Sequence, residues 1–277
     1  MSRFRIRFWG VRGSIPTPGP TTVRIGGNTS CVEVRCGDRL VVLDGGTGLR
    51  VLGDELVKEM PIHATMFFSH VHWDHIQGFP FFKPAFVKGN HFDIFGGRNL
   101  NATLAETLAG QMNFPNFPVT LEQMAATMVF HQFDDGQIVD LGDGVEVKAL
   151  RLNHPDGSYG YRIMYGGRAL AYCTDTEHLS EPDKHVLELA DKADVFVYDA
   201  QYTPEEYQGK NGMPKVGWGH STFEEGARLA RLAGAKRLVL FHHDPYEDDE
   251  TVLAKERRCR ELFPQVDAAF EGLSYEL

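Results

Sequence analysis

The chain has 277 residues, 42% of them hydrophobic, which is enough for one large core, and no linker or composition shift divides it. Its formal net charge of −10, from 28 Lys+Arg against 38 Asp+Glu, argues against a protein that grips nucleic acid along a broad basic face. No apolar run reaches the length needed to cross a bilayer. The start Met1-Ser2-Arg3-Phe4 enters a strand without a secretory signal, so a cytoplasmic location is expected.

Phe4-Arg5-Ile6-Arg7-Phe8 alternates as a strand should, and three glycine-rich turns follow: Gly10 to Pro16, Gly26 to Cys31 and Leu43 to Gly48. Glycine lets a backbone approach a ligand closely and adopt positive φ, although any one such turn is a weak signal. A helix is expected over Gly48 to Lys58. The apolar run Ala64-Thr65-Met66-Phe67-Phe68 then reads as a buried strand, and it leads into His70-Val71-His72-Trp73-Asp74-His75. Twelve histidines in 277 residues make a stray pair ordinary, but not three within one turn behind a strand. Neutral imidazole is the commonest metal ligand, and carboxylate beside imidazole suits zinc, manganese or iron.

The stretch from His75 to His154 is longer than a bare core needs. It holds the Phe-Pro clusters Phe79 to Pro84 and Asn113 to Pro118, with a helical pattern from Leu100 to Met112 between them. Those clusters fit a substrate lid or a subunit interface, or equally a packed elaboration of the core.

Further strands end in further candidate ligands. Val145 to Leu150 leads to Asn153-His154-Pro155, and Ala169 to Cys173 runs into Thr174-Asp175-Thr176. Asp194 to Tyr198 precedes Asp199, and Arg237 to Phe241 ends at His242-His243-Asp244. His242 and His243 compete for the last ligand position, and Asp244 is placed to orient either ring. Before that strand, Gly217-Trp218-Gly219-His220 puts an imidazole at the start of a helix over Thr222 to Ala233, where unpaired N–H groups favour an anion. Thr222 and Glu225 complete a capping-box pattern there. A last helix is expected over Thr251 to Leu262. The four cysteines, at 31, 36, 173 and 259, have no metal-type spacing and read as reduced core thiols. Cys173 shares a strand face with Asp175.

The spacing His-x-His-x-Asp-His from His70 to His75, with His154, Asp175 and the His242-His243 pair following in order at strand ends, resembles the metallo-β-lactamase superfamily from end to end. The resemblance implies an α/β fold, a four-layer αβ/βα sandwich of two mixed β-sheets flanked by helices. It implies one domain over 1–277, with an elaboration at about 79–144. It also implies a dinuclear centre with His70, His72 and His154 on one ion, Asp74, His75 and His242 on the other, and Asp175 shared. The two divalent ions are expected to be zinc, with manganese or iron as alternatives.

In the tRNase Z branch a His-Ser-Thr-like element precedes the last ligand by an interval that, counted from His220, falls on His242. That resemblance favours His242 over His243. It also makes His220 a candidate proton donor, oriented by Asp199, with Asp74 a candidate catalytic group as well as a ligand. True tRNase Z carries a tRNA-gripping arm between the ligands corresponding to His154 and Asp175. Here that interval holds only two strands and a turn, which disfavours structured tRNA.

Paired ions lower the pKa of a water between them and supply hydroxide near neutral pH, so hydrolysis is expected. The leading expectation is a phosphodiesterase on a small cyclic or linear diester, a cyclic nucleotide among the candidates. Alternatives are a hydrolase of a lactone, thioester or β-lactam, and a ribonuclease of the tRNase Z type. A redox di-iron role is disfavoured by His72, where the redox branch has Glu. A homodimer is compatible with the resemblance, and no membrane partner is expected.

Overall fold

The computed structural model describes residues 4–98, 102–210 and 212–277. Residues 1–3 and Leu100, where the sequence pattern begins a helix, lie outside them. The chain first lays down β1 (Phe4–Gly10), β2 (Cys31–Cys36), β3 (Arg39–Leu43), β4 (His63–Phe68), β5 (His91–Gly97) and β6 (Thr127–Phe133). It crosses to a second sheet through β7 (Ile138–Asp140), β8 (Glu146–Leu152), β9 (Ser158–Tyr165), β10 (Arg168–Cys173), β11 (Val195–Asp199), β12 (Leu238–Phe241) and β13 (Val266–Ala268). β14 (Ser274–Glu276) returns to the first.

The sheet orders are β14-β1-β2-β3-β4-β5-β6 and β13-β12-β11-β10-β9-β8-β7. Each sheet is antiparallel in one half and parallel in the other. In the first, β3, β4, β5 and β6 run parallel; in the second, β10, β11, β12 and β13 do. β8 is antiparallel to β9 and β9 to β10, so β8 points the same way as β10.

Alternation along the strands separates three apolar layers. Phe67 of β4 points between the sheets, where it stacks on Phe95 at 4.9 Å and meets Tyr161 at 5.3 Å. Its neighbours Met66 and Phe68 face outward under α1 (Gly48–Leu56) and α3 (Leu104–Gln111). On the outer face of the second sheet, Phe196, Tyr198 and Leu240 pack beneath α4 (Lys184–Ala190), α6 (Phe223–Ala233) and α7 (Asp249–Leu262). Two one-turn helices, α2 (Trp73–Ile76) and α5 (Pro204–Tyr207), complete the α-helices among the described residues. The result is the expected helix–sheet–sheet–helix sandwich. Two buried hydroxyls tie the sheets together: Tyr161 donates to the Phe68 carbonyl at 2.6 Å, and Tyr172 donates to Asp44 at 2.7 Å.

Several local expectations shift. The stretch 79–144 supplies β5, β6 and β7 as well as α3, so part of it is sheet rather than an appendage. Phe79 and Phe82 of the first Phe-Pro cluster are core residues, while Phe81 and Phe114 are exposed. α3 starts later than its apolar pattern, because Thr103 and Glu106 form a full capping box there. At α6 only half of the expected box forms. Thr222 accepts the Glu225 N–H, but the Glu225 carboxylate pairs with Arg228. Cys173 faces the outer helices, away from Asp175. No helix among the described residues is long and apolar enough to cross a membrane.

Phe67→Ala should lower the unfolding free energy by about 3–5 kcal/mol in a urea titration, because a fully buried ring between rigid sheets leaves a cavity. A loss below about 1 kcal/mol would show that the inter-sheet layer collapses around the gap.

Candidate metal centre

The parallel strands of both sheets, and β8, deliver their C-terminal ends to one rim. β4 ends in the turn that carries His70, and α2 opens with His72 as its N-cap, so that Asp74 and His75 lie in one helical turn. β8 leads to His154, β10 to Asp175, β11 ends in Asp199, and β12 leads to His242. Three of the turn residues at this rim, Asp44 (φ 61°), Asp175 (φ 52°) and His242 (φ 60°), adopt the left-handed backbone region. Non-glycine residues are uncommon there, and the strain is held where the side chains must turn inward.

Two of the groups formed by the inward atoms hold the expected ligands, and a third overlaps them by joining Asp175 and His242 with Asp199 and His220. His70, His72 and His154 each present one ligand atom to a common point, and so do Asp74, His75, Asp175 and His242; within each group the atoms lie inside 4.8 Å of one another. Asp175 spans both. Its Oδ1 is 3.6 Å from His70 Nε2 and 4.0 Å from His154 Nε2, while its Oδ2 is 3.2 Å from His75 Nε2 and 3.3 Å from His242 Nε2. Asp74 Oδ2 approaches the same two rings at 3.3 Å and 3.1 Å.

His70 Nε2 is buried with no hydrogen-bond partner among the described residues, although its Nδ1 meets Ser69 Oγ at 3.1 Å. An orphaned imidazole nitrogen aimed at a carboxylate cluster, among nitrogen and oxygen donors only, is what a zinc-type site requires. The residues present fit divalent metal.

Electrostatics agree. Burial works against the charge on Asp175, yet His242, His75 and His70 hold its carboxyl well below the usual range. Asp74 is held low against burial by His75 and His242. Burial drives His70 down, and it drives His154 down to about 4, which leaves both imidazoles neutral. His75 goes the other way: burial opposes its charge, but Asp175, Asp74 and Asp44 outweigh it. The pocket is an anionic frame in which His70 and His154 offer neutral lone pairs, and it calls for positive charge.

Outer partners fix the rings. Asp44 Oδ2 holds His75 Nδ1 at 2.9 Å and also accepts from Tyr172 and Ser69. Gln201 Oε1 lies 3.0 Å from His242 Nδ1. The Ser14 N–H donates to Asp74 Oδ2 at 2.7 Å. His72 Nε2 lies 3.0 Å from Asp156 at the exposed side of the cluster. Two glycines are required by close approach. A Cβ at Gly13 would strike the His242 ring, and one at Gly219, already at φ 87°, would lie 2.6 Å from His154.

His242 and His243 part company. The left-handed turn sends His242 into the cluster, whereas fully buried His243 places its Nε2 2.9 Å from the Ala269 carbonyl on the far side. Asp244 orients neither ring. Its carboxylate accepts the Tyr246 N–H, and its carbonyl accepts from Arg12.

His220 sits at the mouth, in a recess of about 370 Å³ lined by Ser14, Val71, His72, Trp73, Asp74 and Asp175. Its ring stacks on His242 at 4.9 Å, and its Nδ1 is 2.9 Å from Asp199 Oδ2. Burial opposes the charge on His220, but Asp199, then Asp175 and Asp74, raise its pKa to about 9. The residue precedes the helix cap Thr222, and the Ser221 N–H is already taken by Asp199, so this helix start offers less to an anion than its sequence implies. The His220 loop is pinned by Glu177, whose carboxylate accepts the N–H of Gly217 at 2.6 Å and of Gly219 at 2.9 Å.

Asp44, Gln201 and Glu177 carried no recognisable signal in the sequence beyond the glycine-rich turn that follows Asp44. A second recess, of about 410 Å³, opens from His70 and His72 and is lined by Arg98 and Arg151.

Two seven-stranded mixed sheets meeting at a His/Asp cluster define a metal-dependent hydrolase fold. The model of the beta-lactamase superfamily domain matches residues 39–243, and the chain belongs to that family. It is a hydrolytic enzyme, and the family uses divalent metals, commonly zinc. Ribonuclease Z of Nostoc punctiforme is 25% identical over 325 residues, covering 99% of this chain and 96% of the relative. Ribonuclease Z of Nostoc sp. is 28% identical over 158 residues, or 56% of this chain, and the match spans 44% of that relative's length. Among solved structures, the metallo-beta-lactamase fold protein YhfI from Bacillus subtilis superposes with a TM-score of 0.74 at 18% identity, covering 100% of both chains. A diphosphatase of the PhnP family superposes with a TM-score of 0.71 at 19% identity, covering 99% and 98%.

Asp44→Ala should weaken metal affinity by about 10–100-fold in competition with a chromophoric chelator, because His75 loses the carboxylate that fixes its ring. Affinity equal to that of the parent would mean that Ser69 alone orients the ring.

Proposed function

We propose that the chain is a dinuclear metal-dependent phosphodiesterase acting on a small cyclic or linear diester, a cyclic nucleotide among the candidates. His70, His72 and His154 would hold one ion, and Asp74, His75 and His242 the other, with Asp175 shared. Bound there, such ions supply Lewis acidity and a water of lowered pKa. The residues of this chain do the rest.

The observation that carries this reading is His220 at the mouth, with Nδ1 engaged by Asp199 and its ring against both ligand groups. Asp199 fixes the tautomer, so Nε2 is the nitrogen left to exchange a proton with substrate. An alkoxide leaving group needs that proton, and a positioned histidine supplies it. A lactone, thioester or β-lactam hydrolase would need the same ligands but no donor at this place. Arg98 and Arg151, in the recess beside His70 and His72, suit a phosphate or second anionic group on the substrate, since guanidinium matches such oxygens in charge and shape.

Cleavage of RNA in the manner of the ribonuclease Z relatives is the second reading, favoured by their similarity over nearly the whole chain. Against it stand the net charge of −10 and the interval from His154 to Asp175, which holds β9, β10 and, between them, a tight turn at Gly166 and Gly167 where an arm would have to emerge. A cytoplasmic location belongs to the same proposal.

Turnover of bis(p-nitrophenyl) phosphate by zinc- and manganese-loaded protein, abolished by a chelator, tests the diesterase chemistry directly. Absence of turnover in protein shown to bind two ions would turn the reading toward lactones and thioesters.

His220→Ala should retain metal and lose about 10²–10⁴-fold in kcat on a diester with an alkyl leaving group. On the activated nitrophenyl ester, which leaves without a proton, the loss should be much smaller. Equal losses on both esters would contradict a proton-donor role. Asp175→Ala should lose metal as well as activity, read by elemental analysis.

Arg151→Ala should raise KM for a diester carrying an additional phosphate by about tenfold, the effect of roughly 1.4 kcal/mol of lost binding, and leave bis(p-nitrophenyl) phosphate little changed. Unchanged KM for both would remove the recess from the binding site.

A further inference from the structure

A second cluster of metal-ligating side chains lies at the opposite end of the first sheet, where β4 and β5 begin. His63 and His91 are directly paired across these parallel strands, and Asp93 lies two residues further along β5 on the same face. The three residues present one ligand atom each within 4.8 Å of one another. His63 Nε2 is 2.9 Å and His91 Nε2 is 3.3 Å from the same oxygen, Asp93 Oδ2. The other oxygen, Oδ1, is taken by His131 Nε2 of β6 at 2.8 Å.

We infer that His63, His91 and Asp93 form a separate site for a divalent transition ion of the zinc type, with His131 fixing the carboxylate from behind. Ligand atoms about 2.0–2.2 Å from a tetrahedral zinc stand on the order of 3.3 Å apart, and both nitrogen–oxygen separations fall near that spacing. Two imidazoles converging on one carboxylate oxygen, while a third holds the other, is the arrangement of a ligand set with an outer-shell partner.

Packing gives the cluster its definition. His131 stacks on Phe95 at 4.4 Å, and Phe95 stacks on Phe67, so the carboxylate's holder is anchored to the inter-sheet core. The His63 and His91 rings lie 4.6 Å apart at 62°, and both stay open to solvent, at 57% and 37% exposure of their side chains, which leaves room for a water to complete the coordination. Imidazole and carboxylate donors select the nickel, copper and zinc end of the divalent series over magnesium or calcium. An ion here would clamp the start of β4 to β5 across parallel strands that no tight turn connects, far along β4 from His70.

Zinc is the probe. In equilibrium dialysis followed by elemental analysis, the parent protein should bind one more zinc ion per chain than a His63→Gln/His91→Gln double variant. Both proteins share the same main centre, so the difference does not depend on what that centre holds or does. Hydrolytic activity of the double variant should match the parent. Equal zinc counts in two folded proteins would overturn the site. Should the variant fold poorly, a zinc titration of the parent followed by imidazole NMR decides the matter. The His63 and His91 rings should shift once the main centre is filled, and rings that stay unperturbed would overturn the inference.

Discussion

Everything at the rim depends on the cost of burying negative charge. Asp44, Asp74, Asp175 and Asp199 are each no more than 5% exposed, and they stand within one shell of histidines. An isolated buried carboxylate costs several kcal/mol, and like charges in one pocket add to that cost, so the arrangement holds only if positive charge enters it. The imidazoles supply part of it, at His75 and His220, where carboxylates outweigh burial. His70 and His154 remain neutral and offer lone pairs instead. An anionic frame with neutral donors pointing inward is a cation site by its chemistry, before any relative is considered.

The sheets make that concentration of charge mechanically feasible. Antiparallel pairing in one half of each sheet and parallel pairing in the other bring the C-terminal ends of β3, β4, β10, β11 and β12 to one edge, and β8 joins them by direction. Side chains at such ends can converge from two sheets without the backbone entering the core. The left-handed turns at Asp44, Asp175 and His242 complete the geometry. Each sits immediately beyond or one residue past a buried apolar strand, which can absorb local strain because the strand itself does not move.

A second tier of contacts converts a cluster into a site of defined shape. Asp44 is shared by Ser69, His75 and Tyr172, so one carboxylate locks a ligand ring and also ties the two sheets together. Glu177 does the corresponding work for the loop of His220, and Gln201 for His242. These groups are polar, buried and fully engaged, the condition under which a polar network rigidifies its surroundings.

Much of this was legible in the chain itself. The His70 to His75 turn behind an apolar strand declares its chemistry locally, because the ligands and the strand that presents them are adjacent in sequence. The αβ/βα sandwich was implied by the family resemblance that this turn carries, together with the order of the strand ends bearing His154, Asp175 and the His242-His243 pair. Residue type does not separate the neighbours His242 and His243; only the interval from His220, read through the family resemblance, favours His242. The left-handed turn after β12 sends that ring into the cluster and leaves His243 facing Ala269. Sequence could not reveal Asp44, Gln201 or Glu177 as partners, since each meets its histidine or loop across a long interval of chain. The same holds for His63, His91 and His131, three unremarkable histidines in sequence that strand register alone gathers around Asp93. Local pattern determines which chemistry a segment can offer. Register, turn handedness and the meeting of two sheets determine which distant groups share it.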